Sequence, residues 1–371
     1  MNFSFRKFSK HIFITINTLV ALAFCATSLQ PFLDPQTFWF LGFFSLAFPY
    51  LFIILLVFIF FWLAANVRYT LISIVAMAIC WKQIDVLFNV KQQDFKASKK
   101  SGDLRLMSWN VKSFRGMETE QKAQLRNAEK MLKLIEEINP DLVCFQEFGQ
   151  YDSASEKRDY VKQLKEQGYK YFVLSKDYSR VKIGYTNGLA IFSKTPLIRT
   201  KRIPFANNQE SILYADLLFN NDTIRVFAVH FQSFKFSGND YRDLEKIKNP
   251  DDSLYEASLN IYSKMKRAFR TRARQAGVIN PMLNESPYPE ILACDMNDVP
   301  ASYAYWKLKG GRKDAFAEMG FGVGRTFIAL APTLRIDYIM PNKRFAVNQF
   351  HIIQKRYSDH LPIVTDLTLQ H

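Results

Sequence analysis

An uncharged apolar stretch near the N-terminus constrains the fold of this chain more than any other feature. Residues 37–65 contain no charged side chain and are almost wholly apolar. A helix rises ~1.5 Å per residue, so this stretch is long enough to cross the ~30 Å hydrocarbon core of a bilayer. A helix that is apolar on every side is not suited to a water-exposed surface. We therefore predict a transmembrane helix over residues 37–65.

Two further apolar stretches lie on either side of this run. The first, residues 11–29, contains small residues that would also suit a cleaved signal peptide, but a second apolar run follows it immediately. The third, residues 69–89, is apolar in its first half and then meets Lys82 and Asp85. It is either a short span with a snorkelling lysine or a helix in the membrane interface. Together the stretches predict a membrane region over residues 1–90 with two to three transmembrane helices.

The basic residues predict which side of the membrane each end occupies. Arg6, Lys7 and Lys10 precede the first apolar stretch and Arg68 lies between the second and third, whereas residues 30–36 contain no basic residue. By the positive-inside rule this favours a cytoplasmic N-terminus. Three spans would place the remainder of the chain outside the cytoplasm, and two would keep it inside. We prefer three, which predicts a multi-pass protein of the inner or plasma membrane with an extracytoplasmic main domain.

The remainder of the chain has the pattern of a soluble domain that mixes helices and strands. A polar, lysine-rich linker occupies residues 91–102, and the domain is predicted over residues 103–371. Two amphipathic patterns predict helices over residues 120–138 and 253–283. Short β-rich runs predict strands over residues 104–111, 142–146, 189–192, 212–219, 223–229, 291–294, 336–340 and 361–367.

Polar and ionisable side chains stand at the ends of these predicted strands, namely Asn110, Glu147, His230, Asp295, Asn297, Asp298, Asp337, Asp359 and His360. Each has a structural alternative: Asn110 could form a turn, Glu147 could be a surface charge and His230 could be a rim histidine. Asp298 suits the start of a helix better than a ligand position. Asp337 is different, because a carboxylate within an apolar strand needs a hydrogen-bonding partner.

Brought together, these groups would form an oxygen-rich site without a thiolate. Of the four cysteines, Cys144 and Cys294 fall within predicted strands and are expected to be buried free thiols. Oxygen ligands suit Mg²⁺, or Mn²⁺ as a substitute, better than zinc. A hard cation beside imidazoles suits the hydrolysis of a phosphate ester. The sequence contains no Walker-type loop, nucleophile elbow or dinucleotide fingerprint that would support another chemistry.

The order and spacing of seven short blocks resemble the endonuclease/exonuclease/phosphatase family over about residues 103–369. The blocks span residues 107–111, 144–147, 187–193, 228–231, 294–297, 335–339 and 358–362. The family includes deoxyribonuclease I, abasic-site exonucleases, neutral sphingomyelinases and inositol polyphosphate 5-phosphatases. The resemblance implies an α+β fold, a four-layer α/β/β/α sandwich of two packed mixed β-sheets flanked by helices, here preceded by transmembrane helices. One departure is Cys294, which occupies a position where the family often has glycine.

The resemblance also implies a role for each candidate residue. Metal binding falls to Asn110, Glu147 and Asp359. Positioning of the attacking water and the phosphate falls to Asp295 and Asn297. His360 and Asp337 would form an acid–base pair and His230 would donate to a phosphate oxygen. Arg335 and Asn187, which stand in matching blocks, are assigned to substrate binding.

Three classes of function are compatible with these features. The formal charge of +15 and the basic run over residues 264–274 favour a phosphodiesterase acting on nucleic acid, although that run could equally be a solvated helix face. A membrane tether favours a phospholipid or other small phosphoester as substrate. A binding protein on a degenerate enzyme fold is the third alternative, and the presence of every catalytic-type residue argues against it. We expect residues 234–256 to form the specificity loop, and the sequence implies no protein partner.

Overall fold

The structure, a computed structural model, describes residues 5–91, 94–151, 158–206, 208–238, 240 and 254–370. Its N-terminal part is helical, with α1 (Phe5–Ala26), α2 (Pro35–Phe38), α3 (Leu41–Ala65), α4 (Thr70–Ile79) and α5 (Trp81–Leu87). Asp34 caps α2 by accepting a hydrogen bond from the backbone of Gln36, and Pro35 suits the first helical position. The apolar run of residues 37–65 therefore begins with a short helix before the long one.

Two of the three predicted spans are single helices that are long and apolar enough to cross a membrane, Phe8–Leu29 and Leu41–Ala65. The third predicted span, residues 69–89, is not one straight helix. Its halves, Val67–Ile79 and Trp81–Leu87, meet at an angle of 71°, so the described part of the chain has two helices that could cross a membrane, or up to three if this bent pair counts as one. The bend follows Cys80, whose φ of −94° and ψ of 19° do not continue the helix.

The rest of the chain forms a sandwich of two mixed β-sheets, which confirms the predicted fold class. The first sheet has the strand order β13-β14-β2-β3-β6-β4, with β5 paired to β6. Its strands are β2 (Leu104–Asn110), β3 (Leu142–Tyr151), β4 (Tyr171–Leu174), β5 (Tyr178–Arg180), β6 (Tyr185–Ser193), β13 (Phe345–Ile352) and β14 (Ile363–Leu369).

The second sheet has the order β12-β10-β9-β8-β7. Its strands are β7 (Leu197–Pro204), β8 (Ser211–Phe219), β9 (Asp222–His230), β10 (Glu290–Asp295) and β12 (Asp337–Pro341). A small separate pair joins β1 (Asn89–Val90) to β11 (Phe321–Gly322). All eight predicted strands are present, and β1, β4, β5, β7, β11 and β13 were not predicted. The reason is clear for β7, an edge strand. Its side chains are mostly exposed and three of the eight are basic, so the sequence has no alternating apolar pattern there.

The core lies between the two sheets and is built from alternate strand positions. Leu106 and Cys144 contribute from the first sheet and Ala228 and Ile339 from the second, and all four side chains are fully buried. The side chains at the neighbouring positions point outward and are covered by helices. On the first sheet these are α6 (Gln121–Ile138) and α7 (Tyr160–Glu166), and on the second α8 (Leu254–Asn284) and α9 (Tyr303–Lys309), with the short α10 (Ala315–Met319) packed near β13.

The helical N-terminal part packs directly on this sandwich. The Ser45 hydroxyl, in the first turn of α3, donates to the Ala301 carbonyl at 2.9 Å, and Ala301 joins the apolar cluster formed by α1, α3 and α4. The Gln36 side chain donates to the Arg270 carbonyl of α8 at 2.7 Å. Val86, in α5, belongs to the apolar cluster beneath the second sheet. The start of α3 and the end of α5 thus lie against the same domain.

Candidate active site

Strand register brings three of the predicted residues into a row across the second sheet. Asp295 is the last residue of β10, and it pairs with His230 on the parallel strand β9 and with Asp337 on the antiparallel strand β12. All three side chains are buried. Parallel β9 and β10 end at the same edge, and antiparallel β12 begins there, so the three side chains reach one place.

The first sheet contributes Asn110 and Glu147 by the same logic. Parallel strands β2 and β3 pair Asn110 with Gln146, and the register of β3 against β6 then shifts between Phe145 and Phe148. Glu147 sits in this bulge with a φ of 52°. A bulge redirects the side chain of the extra residue. As a result, Glu147 lies beside Asn110, whose amide nitrogen is 3.2 Å from its carboxylate.

The Asn110 amide also joins the two sheets. Its Nδ2 donates to Asp295 Oδ2 at 3.0 Å, so one amide group contacts a carboxylate from each sheet. Asn110 Oδ1 accepts from the Lys112 backbone, which holds the side chain in this orientation. The residues that follow, Lys112, Ser113 and Phe114, all have positive φ values. Consecutive left-handed non-glycine residues store strain, a feature that clusters at functional sites.

His360 forms the predicted pair with Asp337. Its Nδ1 lies 3.1 and 3.0 Å from the two Asp337 carboxylate oxygens, and its backbone carbonyl accepts from the indole of Trp109. The ring is held at Nδ1 and its backbone at the carbonyl, which directs Nε2 towards Asp295. Burial lowers the pKa of His360, but the nearby carboxylates of Asp337 and then Asp295 outweigh it and raise the pKa to about 10.

His230 has a corresponding carboxylate that the sequence analysis missed, Glu210. The Glu210 carboxylate lies 3.3 Å from His230 Nδ1, while His230 Nε2 faces Asp295. Burial lowers the pKa of His230, but Glu210 and then Asp295 raise it to about 10. The pKa of Glu210 is lowered by His230 against the opposing effect of burial. The sequence signal for Glu210 was its charge directly before the apolar strand β8. Because β8 is antiparallel to β9, the start of β8 lies beside the end of β9, where His230 stands.

Asp295 lies at the centre of the site. Its Oδ2 is 3.5 Å from His230 Nε2 and 3.7 Å from His360 Nε2, both longer than a good hydrogen bond. Its Oδ1 accepts from the Asn297 backbone at 2.9 Å. Burial raises the pKa of Asp295, against the opposing charge of His360. Two imidazoles therefore flank a single buried carboxylate whose pKa lies above its ordinary value.

Asn297 and Asp359 complete the predicted set. Asn297 has a φ of 51°, and its amide donates to the Phe231 carbonyl at 3.0 Å, so it forms a tight turn directly after Asp295. The Asp359 carboxylate accepts from Lys112 Nζ at 2.7 Å. The Ser358 hydroxyl contacts Asp359 and also donates to the Asn110 carbonyl, which places the turn beside the end of β2.

Two groups of donors could hold a hard divalent cation: the predicted set that includes Asn110 and Glu147, and a cluster whose members were predicted for acid–base chemistry and water positioning instead. Asp295, Asp337 and His360 offer ligand atoms within 4.8 Å of one another. Carboxylates from both sheets approach Asn110, and only an amide group separates Glu147 from Asp295. Two close carboxylates in a buried site are best accommodated by a positive charge. The thiols nearest in sequence are no competitors, because burial raises the pKa of Cys144 and of Cys294.

Of the two residues assigned to substrate binding, Asn187 lies in the cleft and Arg335 does not. Asn187 donates to Ser113 at 2.8 Å and lines a cavity of about 370 Å³ together with Glu147 and His230. Arg335 is 1% exposed, and its guanidinium donates to Asp314 and to the Val86 carbonyl. This is a correction of its assignment: burial and these partners leave the guanidinium no access to a ligand in the cleft.

The cleft supplies other cations and aromatic groups that the sequence analysis did not single out. Arg115, Arg180, Tyr178 and Tyr185 line the same cavity. The Arg180 guanidinium is exposed and rests near the Tyr178 ring. The predicted specificity loop, residues 234–256, lies largely outside the described residues.

Comparison with known proteins agrees with the fold of the domain that carries this site. Residues 107–360 match the model of the Endonuclease/Exonuclease/phosphatase family, and residues 10–87 match a domain of unknown function, DUF8431. No curated protein matches the chain.

Solved structures with a similar fold cover the same domain. An endonuclease/exonuclease/phosphatase protein from Beutenbergia cavernae is 20% identical, with a TM-score of 0.50 and 72% of each chain covered. D. rerio TDP2, solved with a single-strand DNA product, is 18% identical with a TM-score of 0.51, covering 72% of this chain and all of the other. The human Nocturnin catalytic domain is 15% identical with a TM-score of 0.52, covering 75% of this chain and 97% of the other. With more than half of its length matched by the family model, the chain belongs to the endonuclease/exonuclease/phosphatase family.

Proposed function

We propose that this protein is a membrane-anchored, Mg²⁺-dependent phosphodiesterase. The observation that carries the proposal is the arrangement around Asp295, where two histidines, each paired with its own carboxylate, flank one buried carboxylate. A phosphodiester must gain a nucleophile and lose an alkoxide, so it needs one group that accepts a proton and others that donate. The site contains both kinds of group within a few ångströms.

Each residue has a defined part in this chemistry. Asp295, whose pKa is raised by burial, accepts the proton of the attacking water. His360, held by Asp337, exchanges a proton at Nε2 with the reacting oxygens. His230, held by Glu210, donates from Nε2 to a non-bridging phosphate oxygen. Paired histidines of raised pKa are protonated at neutral pH and therefore serve as donors to an anion.

Asn110, Glu147 and Asp359 would hold the cation. Mg²⁺ bound there would supply charge neutralisation of the phosphate. Glu147 suits this part because its side chain is the most exposed carboxylate of the site and faces the cleft. The Lys112 ammonium group forms an ion pair with the Asp359 carboxylate, so a cation that binds Asp359 would compete with Lys112.

The helical region supports membrane anchoring and an extracytoplasmic catalytic domain. Ser73 donates to Asn17 and Cys80 lies against the Phe24 carbonyl, so α4 runs parallel to α1. Phe13 contacts Phe61 and Phe24 stacks on Phe48, so α3 runs antiparallel to both. The start of α3 and the end of α5 then lie on the side opposite the basic N-terminus, and the domain of residues 103–371 packs there, beyond the linker of residues 91–102. A multi-pass arrangement with three crossings is the topology we propose.

Two substrate classes remain to be separated. A nucleic acid is the first candidate, since the protein is strongly basic and arginines line the cleft. A similar fold has been solved with a single-strand DNA product. A membrane phospholipid is the second, favoured by the direct packing of the domain on the apolar helices.

Turnover by the full-length protein in detergent tests the proposal. The substrates are supercoiled plasmid, single-stranded DNA, sphingomyelin, a phosphoinositide and bis-p-nitrophenyl phosphate, each with Mg²⁺ and with chelator. We expect chelator-sensitive cleavage that His360→Ala abolishes. His351→Ala, which removes a histidine on β13 outside the site, is the matched control and should retain activity. A folded protein that cleaves none of them, or a His360→Ala variant as active as the parent, would refute the proposal.

A further inference from the structure

A second groove lies beside the active-site cleft and is lined by basic and apolar side chains. It has a volume of about 1030 Å³ and runs between one face of α8 and residues 205–206, 208–209 and 232–235. Gln209 and Ser233 line both this groove and the cleft, so the two adjoin. None of the residues assigned to the chemistry lines the groove.

The charge of the groove indicates an anionic ligand. Lys235, Lys264, Arg267 and Arg274 line it, and none of its described lining residues is acidic. Lys264 is offset by Asp240, whose carboxylate lies 2.6 Å from the ammonium group. The other three cations have no carboxylate among the ion pairs of the described residues. A net positive groove of this kind attracts phosphate groups.

A buried amide at the base of the groove supports the same conclusion. Gln275 is 2% exposed and lines the groove. Its Oε1 accepts from the backbone of Gln232 at 3.0 Å, which fixes the direction of the amide. Its Nε2 has no hydrogen-bond partner among the described residues. A buried donor without a partner is costly, so an acceptor supplied by a ligand would stabilise it.

The opposite face of α8 places the groove near the membrane surface. Tyr262 contacts the rings of Trp39 and Phe43, at the start of the apolar α3, with ring centroids 5.1 and 5.9 Å apart. Lys266 lies 4.8 Å from the Trp39 ring. Tryptophan, tyrosine and lysine at the end of an apolar helix are typical of the headgroup level of a bilayer. The groove is therefore about one helix diameter, ~10 Å, from that level.

One groove residue contacts the membrane-proximal segment directly. The Arg274 guanidinium lies 3.4 Å from the side-chain oxygen of Gln36, which belongs to the short helix α2 before the span. The groove walls also contain Phe205, Phe234 and the half-exposed Val278. A ligand that joins an anionic group to apolar chains matches both kinds of wall.

We propose that this groove binds the headgroup of an anionic membrane phospholipid. The inference rests on the membrane anchoring proposed above but not on any catalytic step. Nucleic acid shares the phosphate chemistry, but it lacks the apolar chains and does not explain why the groove lies beside the span. A lipid held here would have its phosphate next to the active-site cleft.

Native mass spectrometry of the full-length protein in neutral detergent tests this inference. Short-chain phosphatidylglycerol and phosphatidylcholine are added together, and the bound lipid is counted. We expect preferential binding of phosphatidylglycerol. The double variant Arg267→Ala/Arg274→Ala should bind phosphatidylglycerol ~30-fold more weakly, because each basic residue near an anionic lipid surface raises the affinity about fivefold. Gln275→Glu keeps the acceptor for Gln232 and should weaken binding through repulsion.

The matched control is Arg126→Ala with Lys130→Ala, which removes two exposed cations from α6 on the other side of the sandwich. Melting temperatures establish that every variant is folded. Equal binding of the two lipids, or unchanged binding by both groove variants, would overturn the inference. Displacement of the lipid by inorganic phosphate at similar concentrations would show a site for free anions, and displacement by a short single-stranded oligonucleotide would show a nucleic-acid site. Because the readout is binding, its failure leaves the phosphodiesterase proposal to be judged by turnover alone.

Discussion

Replacing Asp337 by asparagine tests the proposed acid–base role of the His360–Asp337 pair. Both Asp337 oxygens lie within 3.1 Å of His360 Nδ1, so the carboxylate keeps the proton at Nδ1 and leaves Nε2 facing the reaction. An asparagine fits the same volume but can present its amide group as a donor to Nδ1. Without the carboxylate charge the pKa of His360 would fall, so less of the ring would be the imidazolium that donates from Nε2 at neutral pH.

The size of the effect follows from the electrostatics of the pair. The pKa of His360 rises from an ordinary 6.5 to about 10 although burial alone would lower it. This shift corresponds to ~5 kcal/mol of preference for the protonated ring, of which Asp337 is the largest favourable source. General acid–base groups contribute ~10²–10⁴ in rate, so we expect kcat for Asp337→Asn to fall ~10³-fold. KM should change little, because Asp337 does not line the cleft.

Steady-state kinetics with bis-p-nitrophenyl phosphate at saturating Mg²⁺ measures both quantities. Asp216→Asn is the matched control, since it removes a buried carboxylate that pairs with Arg225 in the same sheet. Its position on β8 lies five residues from the start of that strand, ~17 Å from the site edge. A kcat for Asp337→Asn within a few-fold of the parent, with the protein folded, would refute the role of the pair.

Four other changes give separate tests. Glu210→Gln removes the carboxylate that pairs with His230 and should lower kcat ~10–100-fold. An equal kcat in variant and parent would argue against His230 as a proton donor. Glu147→Gln should raise the Mg²⁺ concentration for half-maximal activity by at least ~10-fold in a metal titration, and an unchanged titration would remove Glu147 from the cation site. In chelator, both active-site histidines have raised pKa values of about 10, so their stabilisation is complete below pH 6.5 and is lost as the pH rises towards 10. The free energy of unfolding should therefore fall over that window by up to ~1.4 kcal/mol per pH unit for each histidine, and the melting temperature should fall with it; a flat profile would contradict the shifts. Finally, a Cβ at Gly42 would lie 2.8 Å from ring carbons of Phe269, so Gly42→Ala should cost ~1–3 kcal/mol of stability, while Gly277→Ala, with open space around it, should be neutral or stabilising.

Most of the fold was predictable because the signals were local. The apolar stretches of the N-terminal region and the buried strands of both sheets have one-dimensional patterns that follow directly from burial. The exposed edge strand β7 has no such pattern, since pairing on one side alone fixes its conformation. The bend at Cys80 was also out of reach, because the second half of the third stretch packs on the sandwich through Val86, a contact made across a long sequence separation.

The site was predictable where strand ends carry its residues. Asp295, His230 and Asp337 were recognisable because each interrupts an apolar run at an end of a strand. Glu210 follows the same rule, but at the start of an antiparallel strand, so a search restricted to carboxyl ends passes over it. Arg335 shows the opposite error. It stands two residues from Asp337 in a matching block, but it precedes β12, and its buried guanidinium donates to Asp314 and to the Val86 carbonyl instead of reaching the cleft.

The candidate site needs residues from both sheets, and Asn110 contacts residues of each. Glu147 belongs to the first sheet and Asp295 to the second, and the amide of Asn110 contacts both. The distance between these carboxylates is therefore set by how the sheets pack, through the core around Leu106 and Ala228. A close-packed core resists relative movement of its layers, so the fold itself holds the proposed cation ligands and the proposed acid–base groups close together. This explains why the chemistry lies at a strand-end edge shared by both sheets, since a site built on either sheet alone would lack half of its groups.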